Sequence, residues 1–166
     1  MSVPETIDLG SLTSRLRDPN LFIPEFGEIA GALYKATANG SIPGTTINLV
    51  QLRAAQIIGN TYHTVRVTAD LRKTAESEER ITAVASWRDA PYFSAAERVA
   101  LELVEAVLNP NPSGERVPDE LCARASAHYD EKALWTLTVA IGQMFFFIPV
   151  ALIGKPLPGT EARWSK

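Results

Sequence analysis

The sequence has little of what redox and metal chemistry need: of its 166 residues one is cysteine, Cys122, and two are histidine, His63 and His128. A lone cysteine excludes an internal disulfide and any Cys-x-x-Cys pair, and it reads as a small, half-buried helix residue. Two histidines far apart in the chain give no metal-ligand spacing, so no metal is expected. Basic runs are missing as well. Sixteen Lys and Arg against nineteen Asp and Glu leave a net charge of −3, with the basic residues scattered, and nucleic acid needs a concentrated positive patch. No nucleic-acid partner is expected. The first ten residues carry no basic segment followed by an apolar core, which points to a cytoplasmic protein without a secretory leader. The most apolar run, Val139 to Gly154, falls short of the about 20 residues that span a bilayer and is interrupted by Gln143 and Pro149. It reads as a buried helix and not as a membrane span. Phosphate-binding and dinucleotide loops are absent, as are long repeats and strand-like alternation.

What is present is apolar residue at helical spacing. A hydrophobic share of 46% in a chain of this length supports one domain with a full core. We assign residues 1–19 to an N-terminal arm, with a short helix around Leu12 to Arg17, and residues 20–166 to a single all-α domain. Pro24-Glu25 suits a helix start, and that helix should stop at Asn39-Gly40. A central helix should begin near Ile47, capped by Thr45 or Thr46, with Gly59 as a break. Further helices are expected from Ser77 to Trp87, from the capping box Ser94-Ala95-Ala96-Glu97 to Leu108, from Pro118 to about Tyr129, and from Glu131, capped by Asp130, to roughly Ile148.

Side chains able to do chemistry concentrate between Gln51 and Val67. On one helix Arg53, Gln56, Asn60 and His63, spaced 3, 4 and 3 apart, would share a face that borders an apolar face of Ile47, Val50, Ala54, Ile57 and Ile58. That stripe reads either as a site or as a solvated face. If the chain turns at Gly59 instead, Asn60 or Thr61 caps a second helix and His63 lies in its first turn. The helix dipole there disfavours imidazolium, leaving a neutral imidazole able to accept a proton near pH 7.

The order LVQLRAAQIIGNTYH, then ITAVASWRDAPYFSAAERVALELVEAV, then VPDELCARASAHYDEKALWTLTVAIG resembles the alkylhydroperoxidase D-like, or carboxymuconolactone decarboxylase, superfamily over about residues 20–159. The resemblance implies a small all-α bundle that oligomerises through its helices as a dimer, trimer or hexamer. Redox members carry a Glu, a Cys-x-x-Cys and a following His; the matching positions here are Asn48, Asn60, His63 and Val67. The resemblance therefore argues against a disulfide-based peroxidase, which needs a thiolate and a resolving thiol. Decarboxylase-type members use polar acid/base groups in this region without a cofactor, and His63 stands where the second cysteine would be. Near the C-terminus redox members read Asn-Ala-Trp-Asn-Arg where this chain has Phe145-Phe146-Phe147-Ile148-Pro149, which implies an apolar wall or, equally, core and interface.

The expected function is thus a cofactor-free lyase- or isomerase-type enzyme on an apolar or aromatic small molecule with a carbonyl or acidic group. His63 is the candidate general acid/base, with Arg53 as anion or oxyanion partner and Asn60 as an orienting catalytic group. Gln56, Tyr62, Phe145 and Asn48 are the candidate substrate contacts. Arg53 has a second reading, a buried cation that ties helices together. The alternatives are an inactive member that binds an apolar ligand or a protein, and a peroxidase using Cys122 with an external thiol. His128 reads as a packing or helix-end residue.

Overall fold

The computed structural model describes Asp8 and residues 11–159. Among these the chain forms seven α-helices and no strand. They are α1 (Glu25–Thr37), α2 (Gly44–Ile58), α3 (Thr61–Lys73), α4 (Glu78–Ala83), α5 (Ala95–Leu108), α6 (Asp119–Ser126) and α7 (Glu131–Gly154). The all-α expectation holds. The expected helix from Leu12 to Arg17 does not form. Instead Arg15 and Leu16 donate their backbone N–H groups to Gly154 O, both at 3.0 Å, so this segment satisfies a carbonyl at the end of α7.

Helix α2 is the centre of the bundle because both of its faces are apolar. Ile47, Val50 and Ala54 face one cluster with Val104, Leu137, Ile141 and Met144. Leu49 and Leu52 face a second cluster with Val67, Leu71, Trp87, Phe93 and Leu101. It packs against α3, α5 and α7 accordingly. Its first turn begins at Gly44, three residues before Ile47: Ile47 N–H already bonds Pro43 O at 3.2 Å, and Pro43 takes the cap position expected for Thr45 or Thr46. Thr46 is buried inside that turn instead.

Three later helices also differ from expectation at their ends. The helix from Ser77 tightens after Ala83 into a 3₁₀ turn, Val84–Ser86, which delivers the Trp87 indole N–H to Glu105 at 2.8 Å. Helix α6 stops at Ser126, short of Tyr129, whose buried ring sends its hydroxyl to Ala96 O at 2.7 Å. The capping box at Ser94 and Glu97 is present as read, and Asp130 caps α7 through Ala133 N at 2.8 Å. Helix α7 runs on through Pro149 to Gly154. Pro149 is exposed, on the side of the helix where the lost backbone N–H bond is tolerated. By length and composition alone α7 could cross a membrane, but Ala133, Leu137, Ala140, Met144 and Ile148 are core residues of the bundle.

Leu101 is fully buried in the second cluster. Leu101→Ala should lower the free energy of unfolding by about 2–5 kcal/mol in urea titrations, with the helical circular dichroism of the native state retained.

Candidate active site

The break between α2 and α3 builds the site. Gly59 takes the left-handed conformation at φ +76°, where a glycine meets no Cβ penalty. Asn60 N–H then reaches back to Ala55 O at 2.9 Å and closes the end of α2. Asn60 is the N-cap of α3, and its Oδ1 accepts the backbone N–H of His63 at 2.9 Å. The same oxygen lies 2.9 Å from His63 Nδ1. An oxygen already receiving an amide proton is the acceptor in both contacts, so Nδ1 carries the imidazole hydrogen and Nε2 keeps its lone pair. Nε2 has no hydrogen-bond partner, and no buried side-chain nitrogen or oxygen among the described residues is left unsatisfied; Nε2 therefore opens onto space.

That space is a cavity of about 490 Å³ between α1, α2, α3 and α7. Phe147 and Met144 of α7 form an apolar wall, the Phe147 ring centroid lying 6.3 Å from that of His63. Asn48 and Gln51 line it from α2, and Gln51 Nε2 donates to Oε1 of the buried Gln143 at 3.0 Å. Arg66, one turn along α3 from His63, sets its guanidinium 5.6 Å from the Tyr34 ring centroid. Burial, and after it the positive charge of Arg66, push the His63 pKa down to about 4. The imidazole is neutral at pH 7. Tyr34 is raised above its ordinary value by burial, which Arg66 partly offsets.

The turn at Gly59 separates residues that one continuous helix would have aligned. Arg53 Nε donates to Glu105 Oε1 at 2.9 Å, and Gln56 follows it, accepting from Arg53 Nη1 at 3.5 Å. Glu105 also accepts from Trp87 Nε1 at 2.8 Å and Arg88 Nη2 at 2.7 Å. Burial pushes the Glu105 carboxyl up, but these three donors outweigh it and hold it below the usual value. Arg53 thus ties α2 to α5, and neither it nor Gln56 lines the cavity. Tyr62 is buried with its ring edge-on to His63, centroids 5.2 Å apart, and stays behind the imidazole. Phe145 does not face His63: it is half exposed and lines a separate groove with Cys122, which is itself exposed and not half-buried. His128 is exposed beside Trp87 and Arg124.

The structure brings in Arg66, Gln51, Gln143 and Tyr34, none of which the sequence reading singled out for the site, and Phe147, from the run read as a possible apolar wall, takes the place expected of Phe145. Their signal was helical spacing. Arg66 follows His63 by three residues and Phe147 follows Gln143 by four, so each pair shares a face. Among the described residues no three His, Cys, Asp or Glu side chains are grouped to hold a metal ion.

The model of the carboxymuconolactone decarboxylase family matches residues 24–106. An uncharacterised protein of Bacillus subtilis strain 168, YdfG, is 37% identical over 122 residues, covering 73% of this chain and 81% of that one. Among solved structures, ATU0492 of Agrobacterium tumefaciens, a protein of unknown function held to be an AhpD-type antioxidant defence protein, superposes with a TM-score of 0.78. It is 25% identical, and the match covers 90% of this chain and all of the other. A cysteine-to-alanine variant of the debrominase Bmp8, in complex with 2,3,4-tribromopyrrole, shares the fold at a TM-score of 0.72 and 18% identity, over 84% of this chain and 74% of its own.

The sign of the pH dependence follows from the His63 value. Its folded pKa of about 4 lies below the ordinary 6.5, so between these values the unfolded chain binds the proton and the folded chain does not. The stabilisation is complete above pH 6.5 and is lost as pH falls toward 4, by roughly 3 kcal/mol in all. Urea midpoints should drop across that window, and His63→Gln should flatten the drop.

Proposed function

We propose, from a chain that belongs to the carboxymuconolactone decarboxylase family, that this cavity is the active site of a cofactor-free enzyme moving a proton on a small apolar or aromatic substrate with a carbonyl or acidic group. The observation that carries the reading is the unpaired Nε2 of a neutral His63 at the wall of a cavity that is also lined by Arg66 and by the carboxamides of Asn48, Gln51 and Gln143. His63 is the general base. Its Nε2 lone pair takes a proton from carbon adjacent to the substrate carbonyl, and the C–H electron pair becomes an enolate. The oxygen that gains charge is held by Arg66 and by the Gln143 amide, which Gln51 orients through the 3.0 Å bond to Gln143 Oε1. Returned to another carbon, the same proton completes an isomerisation; passed to a leaving group that departs with its bonding pair from the carbon next to the enolate, while the enolate pair forms the new double bond, it completes a lyase reaction.

Asn60 turns the imidazole so that Nδ1–H points away from substrate, and it accepts that hydrogen in both charge states. The second cause of the low His63 pKa is the charge on Arg66. An anionic substrate bound at Arg66 offsets this charge and raises the basicity of His63 when a substrate is present to use it. Phe147 and Met144 suit an aromatic or alkyl body. The debrominase Bmp8, whose complex holds 2,3,4-tribromopyrrole, supports the idea that this fold can enclose a compact aromatic ring. Arg53, with its charge committed to Glu105, has a structural role.

Proton transfer can be followed without knowing the final product. With a panel of aromatic and alkyl keto acids and lactones in deuterium oxide, proton NMR should show protein-dependent exchange of the carbon-bound hydrogen. His63→Gln should slow it by about 10²–10⁴-fold. Arg66→Gln should weaken binding of the anionic members most. Arg53→Gln should lower stability and leave exchange by the folded protein unchanged. Exchange that persists in His63→Gln contradicts the assignment of the base.

A further inference from the structure

The cavity that holds His63 also holds the phenol of Tyr34, brought in by α1. Its ring is fixed on two sides. It stacks on Phe147, with centroids 5.5 Å apart and planes at 27°, and the Arg66 guanidinium lies 5.6 Å from its centroid. Phe147 thus touches both the phenol and the imidazole, and the two proton-holding rings share one apolar wall. Tyr129 shows what a structural phenol does in this bundle: its hydroxyl donates to Ala96 O at 2.7 Å. The Tyr34 hydroxyl donates to no acceptor among the described residues. Arg66, which acts on it by charge and hydrogen bonding, has donors only, so it can engage the oxygen and must leave the hydroxyl hydrogen free for the cavity.

We propose that Tyr34 is a second catalytic residue, the acid that protonates the substrate oxygen while His63 takes the proton from carbon. The inference rests on the proton-transfer reading of this cavity. The C–H pair forms the new carbon–carbon double bond, the carbonyl π pair moves to oxygen, and that oxygen takes the Tyr34 proton. A neutral enol results, with imidazolium at His63 and phenolate at Tyr34 against Arg66. Passing the enol proton back to the phenolate, as carbon takes the imidazolium proton, restores both residues. A neutral enol suits a wall of Phe147 and Met144 better than a free enolate, whose charge is costly to bury. Phenol and enol are oxygen acids of similar strength, so the transfer runs easily both ways. Burial raises the Tyr34 pKa, Arg66 lowers it, and Tyr62 and Asp70 raise it again, all three from α3; α7 brings Phe146 and Phe147 and no charge. The phenol therefore keeps its proton at pH 7.

Tyr34→Phe removes the hydroxyl and leaves the ring on Phe147. In the deuterium exchange assay its kcat should fall about 10²-fold, with KM within about twofold of the wild type and an unchanged melting temperature. Fluorotyrosine at position 34, a stronger acid than tyrosine, should retain exchange and move the alkaline fall of kcat to lower pH. A Tyr34→Phe protein that exchanges like the wild type, or whose loss lies in KM alone, overturns the role of Tyr34 and leaves the His63 base standing. Exchange that is absent from the wild type, or that persists in His63→Gln, refutes the base itself and the acid with it.

Discussion

The left-handed residue at Gly59 and the carboxamide that follows it decide what the cavity can do. Without a residue tolerating φ +76° the chain could not leave α2 and start α3 within two positions, and His63 would continue the face of Arg53. With it, Asn60 becomes a cap whose single oxygen holds both the backbone and the ring of His63. A helix cap thereby fixes a tautomer. The imidazole is aimed by a contact that the fold needs for its own stability, so orienting it takes no ordering beyond that which builds α3.

The bundle keeps its charges for two separate tasks. Around Glu105 a carboxylate collects Arg53, Arg88 and the Trp87 indole, and every formal charge has a partner; this cluster joins α2, α5 and the turn before Trp87. Across α2, the cavity holds a buried neutral histidine near a guanidinium that stacks on Tyr34. The first arrangement stabilises by completing its pairs. The second leaves an acceptor and a cation available to something else, as a site for a polar small molecule must. Because both faces of α2 are packed, the two regions share one rigid helix.

Much of this was legible in the residues. The capping box at Ser94 and the caps at Asp130 and Asn60 are short-range signals that hydrogen bonding within one turn enforces, and all three formed. The consecutive phenylalanines were harder, since neighbours on a helix point about 100° apart. Phe145 faces outward, Phe146 meets Phe26 at 5.2 Å, and only Phe147 reaches the imidazole. Gln143 and Pro149 looked like interruptions in an apolar run. One is instead a buried cavity residue held by Gln51, the other sits on the exposed side where a lost hydrogen bond is tolerated. Arg53 belonged to the most obvious polar stripe, and its destination depended on Glu105, 52 positions later, which no local pattern announces.

The central claim is that His63 stands neutral, with its hydrogen on Nδ1 and its lone pair on Nε2 toward the cavity. Long-range proton–nitrogen correlation spectra of ¹⁵N-labelled protein, titrated with acid, read tautomer and pKa from the same resonances. The account predicts an Nδ1–H tautomer at pH 7 that protonates only as pH approaches about 4. An Nε2–H tautomer, or protonation near the ordinary 6.5 of a solvated imidazole, would contradict it.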